Sequence, residues 1–253
     1  MTRTGYAAPA LEKGLDILET LARQSDPLSL TRLAAELQRS KSEIFRMVMV
    51  LLDRGYVARD PEHDTLSLTN RLFTLGLRTP RARDLVSAAM PPMRTLAEAT
   101  GFSLHLVVVH QGQTAVVGAS WGDREVSFRL PLGFHRPALD ATSGRVIIAF
   151  QSETLQQSMI AEALPLLPGP VDKAALRRDL TRIRRDGFDY HESRDFVGLV
   201  DLCCPVLDHD AHAVASILMT SLRRRRDDED NLMSHLPALR DTCRAISHGA
   251  ELV

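Results

Sequence analysis

The sequence predicts an α+β chain of two domains. Residues 1–78 read as a winged helix-turn-helix unit that includes the start of a linker helix, and residues 79–253 as a second domain on a mainly antiparallel sheet. Three observations carry this. Apolar residues recur at helical spacing three times before a short alternating hairpin. A helical stretch over 70–100 is punctuated by prolines. Beyond Gly101, strands and helices come in runs without strict βαβ alternation, the pattern of an antiparallel sheet with packed helices.

In the first unit, Leu11, Leu15, Leu18 and Leu21 place a helix over Ala10–Arg23, which Ser25-Asp26-Pro27 breaks. Ser29 caps a short second helix with Leu30, Leu33, Ala34 and Leu37 on one face. Ser40 and Glu43 stand three apart, the spacing at which a hydroxyl and a carboxylate reciprocally satisfy two free backbone N–H groups. Ile44, Met47, Val48, Leu51 and Leu52 then form the buried stripe of a third helix ending at Arg54-Gly55. Val57–Arg59, a polar turn over Asp60–Asp64, and Leu66–Leu68 make the hairpin.

The segment 70–100 is expected to be interrupted at Thr79-Pro80-Arg81 and to bend at Pro91-Pro92, where proline lacks the N–H. Strands follow at Leu104–Val108, Ala115–Val117 and Asp123–Leu130, then helices over Thr142–Phe150, Glu153–Ala163 and Asp172–Asp186, the last stopped by Gly187. Strands return at Phe188–His191, Val200–Leu207 and Val214–Thr220. A final helix over Asp227–Ala245 opens on four acidic residues, favourable at its positive dipole end.

Composition narrows the function classes. The apolar share is 44% and the charged share 25%, which excludes a disordered or collagenous chain. No apolar run approaches the roughly 18 residues of a membrane span. The first residues lead into charged sequence, and three cysteines make no disulfide framework, so a cytoplasmic location is expected. Net charge is −1, and residues 1–78 hold 11 basic against 10 acidic residues. Bulk basicity therefore gives no sign of a nucleic-acid partner. That case rests on where charges sit along individual helices.

They sit on the third helix. Opposite its buried stripe it carries Lys41, Ser42, Phe45, Arg46 and Met49. Lys41, Ser42 and Arg46 are donors suited to phosphates or base edges, and Phe45 suits a thymine methyl group. Arg39 in the preceding turn and Arg59 on the hairpin add cations within reach of flanking phosphates. Glu43 is the discordant carboxylate, and capping is the role expected of it.

Along nearly its whole length the chain resembles the IclR family of transcriptional regulators. The carrying residues are Ala10–Leu18, Leu33-Ala-Ala-Glu-Leu37, Lys41-Ser-Glu-Ile-Phe-Arg46, Leu51–Val57, Arg59-Asp-Pro61 and Leu72–Gly76. In the second domain they are Ala141–Phe150, Arg184–Phe188 and Val197–Val206. The resemblance implies a DNA-binding domain, a dimerising linker helix, and a C-terminal GAF-like effector-binding domain. It implies a regulator whose operator binding responds to a small effector, an organic or aromatic acid. The implied partners are a pseudo-palindromic double-stranded operator and further copies of the chain, as homodimer or dimer of dimers; no cofactor is implied. Departures from the family pattern are Gln38 for glycine, Glu43 for threonine, Arg145 for lysine and Asp140 for histidine.

Effector residues follow from the same resemblance. Thr142, Ser143 and Gly144 open a helix that offers N–H groups to an anion. Asp195 matches an acidic ligand-contacting position. Leu218 and Thr220 match positions often occupied by serine, and leucine there implies a more apolar ligand than a two- or three-carbon acid. Phe128 and Leu130 are placed on the wall. Of Cys203 and Cys204, in an apolar strand, at most one faces a cavity, and Cys204 is assigned to it.

One motif points elsewhere. Gly118-Ala-Ser-Trp-Gly122 fits G-x-S-x-G, and Asp195 or Asp201 followed by His209 or His212 has the chain order of a hydrolase triad. The alternative reading is therefore a small serine hydrolase with an N-terminal oligomerisation domain. Against it, the surroundings read as strand–turn–strand instead of strand–turn–helix. His209 and His212 lie in a polar turn without metal-ligand spacing elsewhere, Arg223–Arg226 reads as a solvated stretch, and no Walker or G-x-G-x-x-G loop occurs.

Overall fold

The computed structural model describes residues 8–24, 26–72, 75, 80–193, 196–222 and 232–249. The chain divides into two compact units, Met1–Thr79 and Pro80–Val253.

In the first unit, helices α1 (Pro9–Ala22), α2 (Leu30–Glu36) and α3 (Lys41–Asp53) pack around Ile17, Leu33, Ile44, Val48 and Leu51. Ser29 caps α2 by accepting from the Arg32 N–H at 3.3 Å. The Ser40–Glu43 capping box forms as its spacing predicts: Ser40 Oγ accepts from Glu43 N, and Glu43 Oε2 accepts from Ser40 N at 2.9 Å. Those bonds hold the Glu43 carboxyl below its ordinary pKa, with the Ser40 N–H as the largest cause. Gln38, in the turn between α2 and α3, takes the left-handed conformation at φ 52°, which explains why glycine is the easier residue there. Strands β2 (Val57–Asp60) and β3 (Thr65–Leu68) form the hairpin. An additional two-residue strand, β1 (Leu28–Ser29), pairs with β3 and ties the α1–α2 connection to the wing. Two residues are too few to leave a periodic signal.

The second unit is built on a six-stranded sheet in the order β6-β5-β4-β9-β8-β7, antiparallel throughout. The strands are β4 (Leu104–His110), β5 (Gln113–Ser120), β6 (His135–Pro137), β7 (Asp189–Glu192), β8 (Leu199–Leu207) and β9 (Ala213–Leu222). Helices α4 (Pro80–Thr100) and α8 (Leu236–Gly249) cover one face; α5 (Thr142–Ala149), α6 (Glu153–Ala163) and α7 (Lys173–Asp186) cover the other. Alternation along β8 and β9 divides the two cores. Leu202, Cys204, Val206, Ala215, Ile217 and Met219 face α4 and α8, whereas Cys203 and Leu218 face α5 and α7.

Three sequence expectations about secondary structure are corrected. Helix α4 runs unbroken through Pro91 and Pro92, with Ala89 and Met93 fully buried; packing of that face outweighs the two lost backbone donors. Residues 123–130 form no strand: their alternation belongs to a loop that folds over the sheet, with Leu130 pointing in. The last helix begins at Leu236 after a 3₁₀ turn over Leu232–His235, and runs to Gly249. Asp195, Arg223–Arg226 and the acidic opening Asp227–Asp230 lie outside the described residues.

The alternative hydrolase reading of G-x-S-x-G finds no support in the sheet either. Ser120 ends β5, buried and opposite Leu104. Leu104 in turn pairs with Met219, which lies seven residues along β9 from His212 at the end of the Asp208–His212 turn, roughly 23 Å away. No triad can assemble across that span. Gly122 serves packing: a Cβ on it would lie 1.8 Å from the carbonyl oxygen of Gly101. Gly122→Ala is therefore expected to destabilise the second unit by about 1–3 kcal/mol, the usual cost of overpacking, measured as a lowered midpoint in urea denaturation.

Candidate functional site

Two surfaces concentrate chemistry. The first is the outer face of α3. Its buried stripe, Ile44, Val48 and Leu51, anchors it to α1 and α2, so Lys41, Ser42, Phe45, Arg46 and Met49 all point outward. Phe45 is 49% exposed and Met49 37%. Among the described residues, Lys41 and Arg46 make no ion pair, so both cations are available. The other two cations are engaged. Arg39 pairs with Asp16 of α1 at 3.3 Å, and Arg59 pairs with Asp64 across the wing turn. The Arg59–Asp64 pair is solvent-exposed and the Arg39–Asp16 pair half-buried, and pairs open to solvent are weak enough to exchange for a phosphate.

The second surface is a cavity in the second unit, between the sheet and the loop preceding β6. Its cavity volume is about 40 Å³, and the atom-free space reaches about 470 Å³ when the solvent-open mouth is counted. Val107, Thr114, Val116, Leu218, Thr220 and Asp201 rise from the sheet as its floor. Phe128, Leu130 and Phe134 come from the loop, Phe196 and Ser193 from the β7–β8 connection, and Arg136, Asp140, Ala141, Thr142 and Ser143 from the entry to α5. Phe128 and Phe196 meet edge to face at 5.1 Å, a contact that closes one wall.

Sequence-predicted residues divide cleanly. Phe128, Leu130, Thr142, Ser143, Leu218 and Thr220 line the cavity. Cys204 does not: period-two alternation turns it to the opposite core, where the Cys243 thiol donates to its carbonyl at 3.8 Å. Gly144 is also off the cavity. It allows close backbone approach, since a Cβ there would lie 2.2 Å from the Ala138 carbonyl oxygen.

Several lining residues were not anticipated, and Asp201 is the most informative. The residue is 6% exposed, and its carboxylate accepts from Thr142 Oγ1 and Thr220 Oγ1, each at 2.9 Å. Burial pushes its pKa up, against the pull of those two hydroxyls and of Arg136. The sequence did carry a signal, a lone acid interrupting the apolar run Leu199–Val206. Arg136 donates to Asp140 at 3.0 Å. His105 of β4 is fully buried, and its Nε2 accepts from Leu130 N at 3.0 Å, pinning the loop that roofs the cavity. That bond requires an unprotonated Nε2, and burial lowers the pKa to about 4.

Helix α5 has Ala141 at its N-cap and no side chain bonded there, whereas Ser29, Ser40, Ser152 and Asp172 cap α2, α3, α6 and α7. Its first N–H groups thus have no side-chain cap, and Ala141, Thr142 and Ser143 line the cavity. Behind it, Arg145 donates to Asp179 at 2.6 Å and to the Leu139 carbonyl at 2.7 Å, fixing the helix against α7. Arg182 extends the network from Asp179 to the buried Asp189 of β7, at 2.7 Å to each.

Comparison with known proteins decides the family. Residues 10–61 match the IclR helix-turn-helix domain, and residues 79–248 match the bacterial transcriptional regulator IclR C-terminal domain. The chain belongs to the IclR family. It is thus a DNA-binding transcriptional regulator with an effector domain, and the hydrolase alternative falls. IclR-family relatives include the HTH-type transcriptional repressor AllR of Escherichia coli K12, 26% identical over 243 residues, covering 95% of this chain and 89% of AllR. The transcriptional regulator KdgR of the same organism is 24% identical over 245 residues, covering 93% and 90%. An IclR homologue from Microbacterium hydrocarbonoxydans, solved with 4-hydroxybenzoate, shares the fold with a TM-score of 0.81 at 19% identity, covering 96% of this chain and all of that one. No helix among the described residues is long and apolar enough to cross a membrane.

The buried histidine sets a pH dependence. Its folded pKa of about 4 lies below the ordinary 6.5, so its contribution is full above pH 6.5 and is lost as pH falls toward 4. Stability from this group is expected to decline by up to about 1.4 kcal/mol per pH unit in that window. His105→Gln should flatten that part of the profile, measured by urea denaturation at pH 7 and pH 5.

Proposed function

We propose that this regulator binds its operator through the outer face of α3 and is controlled by a small organic or aromatic acid held in the second-unit cavity. The observation that carries the first half is an exposed phenylalanine flanked by two available cations on a helix whose opposite face is fully committed to the core. Lys41, Ser42 and Arg46 contact phosphates or base edges, and Phe45 packs on a thymine methyl. Arg39 and Arg59 leave their acidic partners, Asp16 and Asp64, for flanking phosphates. The protein acts as a homodimer or a dimer of dimers in the cytoplasm, and its two-fold symmetry reads a pseudo-palindromic operator.

The second half rests on the cavity's mixed lining. An acid places its carboxylate against Arg136 and the uncapped start of α5, where Thr142 and Ser143 supply N–H groups and the helix dipole favours an anion. Its apolar body lies among Phe128, Leu130, Phe134, Phe196 and Leu218. The 4-hydroxybenzoate bound by the Microbacterium homologue is an acid of this kind. The effector domain is GAF-like in this reading. The effector changes operator affinity only insofar as it binds one arrangement of the protein more tightly than the other.

Arg46→Ala is expected to weaken operator binding and to lower the slope of log affinity against log salt by about one, as for a lost phosphate contact. Fluorescence anisotropy with an operator fragment, titrated at several salt concentrations, measures both. Unchanged affinity and slope would remove Arg46 from the interface.

A further inference from the structure

We infer that Asp201 is a specificity-determining residue: the effector carries, besides its carboxylate, a hydroxyl or amino hydrogen that it donates to the Asp201 carboxylate on the cavity floor. This deepens the acid-effector reading above and rests on the same cavity.

Three observations support it. Asp201 is a buried carboxylate on the sheet face it shares with Cys203, Leu218 and Thr220, in a protein core where an ionised group is costly unless its lone pairs are satisfied. Thr142 and Thr220 each donate one hydrogen bond to it, one to each oxygen. A carboxylate offers about four acceptor sites, so two remain for a donor in the cavity it lines.

The charge inventory points the same way. Among the described residues, the ionisable groups lining the cavity are Arg136, Asp140 and Asp201. Arg136 is already bonded to Asp140. A plain carboxylic acid therefore brings a third negative charge to a site with one cation, and offers Asp201 nothing in return. A ligand donor turned to Asp201 offsets that cost, because a hydrogen bond to a charged group is stronger than a neutral one. The aromatic lining supplies the spacer: Phe128, Phe134 and Phe196 suit a flat ring between the two polar ends.

The test crosses presence of a carboxylate with presence of a donor, using 4-hydroxybenzoate, 4-methylbenzoate and 4-methylphenol on the full-length protein by isothermal titration calorimetry. Wild type is expected to bind 4-hydroxybenzoate tighter than 4-methylbenzoate by on the order of ten- to a hundredfold, the worth of one charge-assisted hydrogen bond. In Asp201→Asn, which keeps the side-chain size, that preference should shrink to within roughly threefold, and 4-methylbenzoate should bind at least as well as to wild type because the opposing charge is gone. A residue that merely braced Thr142 and Thr220 would weaken all three ligands alike and leave the preference intact, which would overturn the proposal. Equal wild-type affinity for the two benzoates would overturn it while leaving the acid reading standing. Binding of 4-methylphenol, abolished in Asp201→Asn, with neither benzoate bound would support the donor contact and overturn the acid. Wild type alone supplies the preference should the variant fail to fold.

Discussion

Alternation along the β8–β9 pair is the constraint on which the second unit depends. The sheet is covered on both faces, so the buried residues of these two strands divide between the two cores, and a one-residue slip would exchange them. Leu202, Cys204, Ile217 and Met219 on one side leave Asp201, Cys203, Leu218 and Thr220 on the other. Register pairs Asp201 with Thr220 directly across the ladder, and that pairing brings a hydroxyl to the buried carboxylate. The polar part of the cavity floor is thus a consequence of strand register.

Fold was legible from sequence because its determinants are local and periodic. The capping residues Ser29, Ser40, Ser152 and Asp172 act within three residues of their own positions, and each caps the helix it precedes. The left-handed Gly187 stops α7 for an equally local reason. What failed was decided by distant partners. Pro91 and Pro92 lie inside a helix because Ala89 and Met93 are held by the sheet, a gain invisible in the local pattern. Val126, Phe128 and Leu130 alternate like a strand, but their backbone finds partners such as His105 in place of a neighbouring strand. Period two shows that alternate side chains differ in burial; it does not show that the backbone is laddered.

The candidate sites were legible to unequal degrees. The α3 face could be read because the buried stripe of an amphipathic helix determines the exposed one. The cavity could be read only where a residue stood at a recognisable place, as Thr142, Ser143, Leu218 and Thr220 do. Cys204 was misplaced because choosing between adjacent strand residues needs the register, and Arg136 was missed because the β6–α5 entry has no periodic signature. Asp201 was visible all along as an acid in an apolar run, and chain order alone had drawn it toward a hydrolase triad that the sheet keeps apart.

The cavity and the network behind it share one helix. Helix α5 lines the cavity at its uncapped start and bonds through its Arg145 to Asp179, from which Arg182 leads to the buried Asp189 on the edge strand β7. Asp201, on the neighbouring strand, bonds to Thr142 at that same helix start. A ligand that moved α5 would therefore strain two sets of charge-assisted bonds at once, one to the sheet floor and one to α7. Small displacements in such a packed, paired arrangement resolve into discrete alternatives, because cores and ion-pair networks do not deform continuously. An effector that binds by bonding to Asp201 and the α5 start is placed where those alternatives meet, and its differential affinity for them is the free energy available to act on the DNA-binding unit.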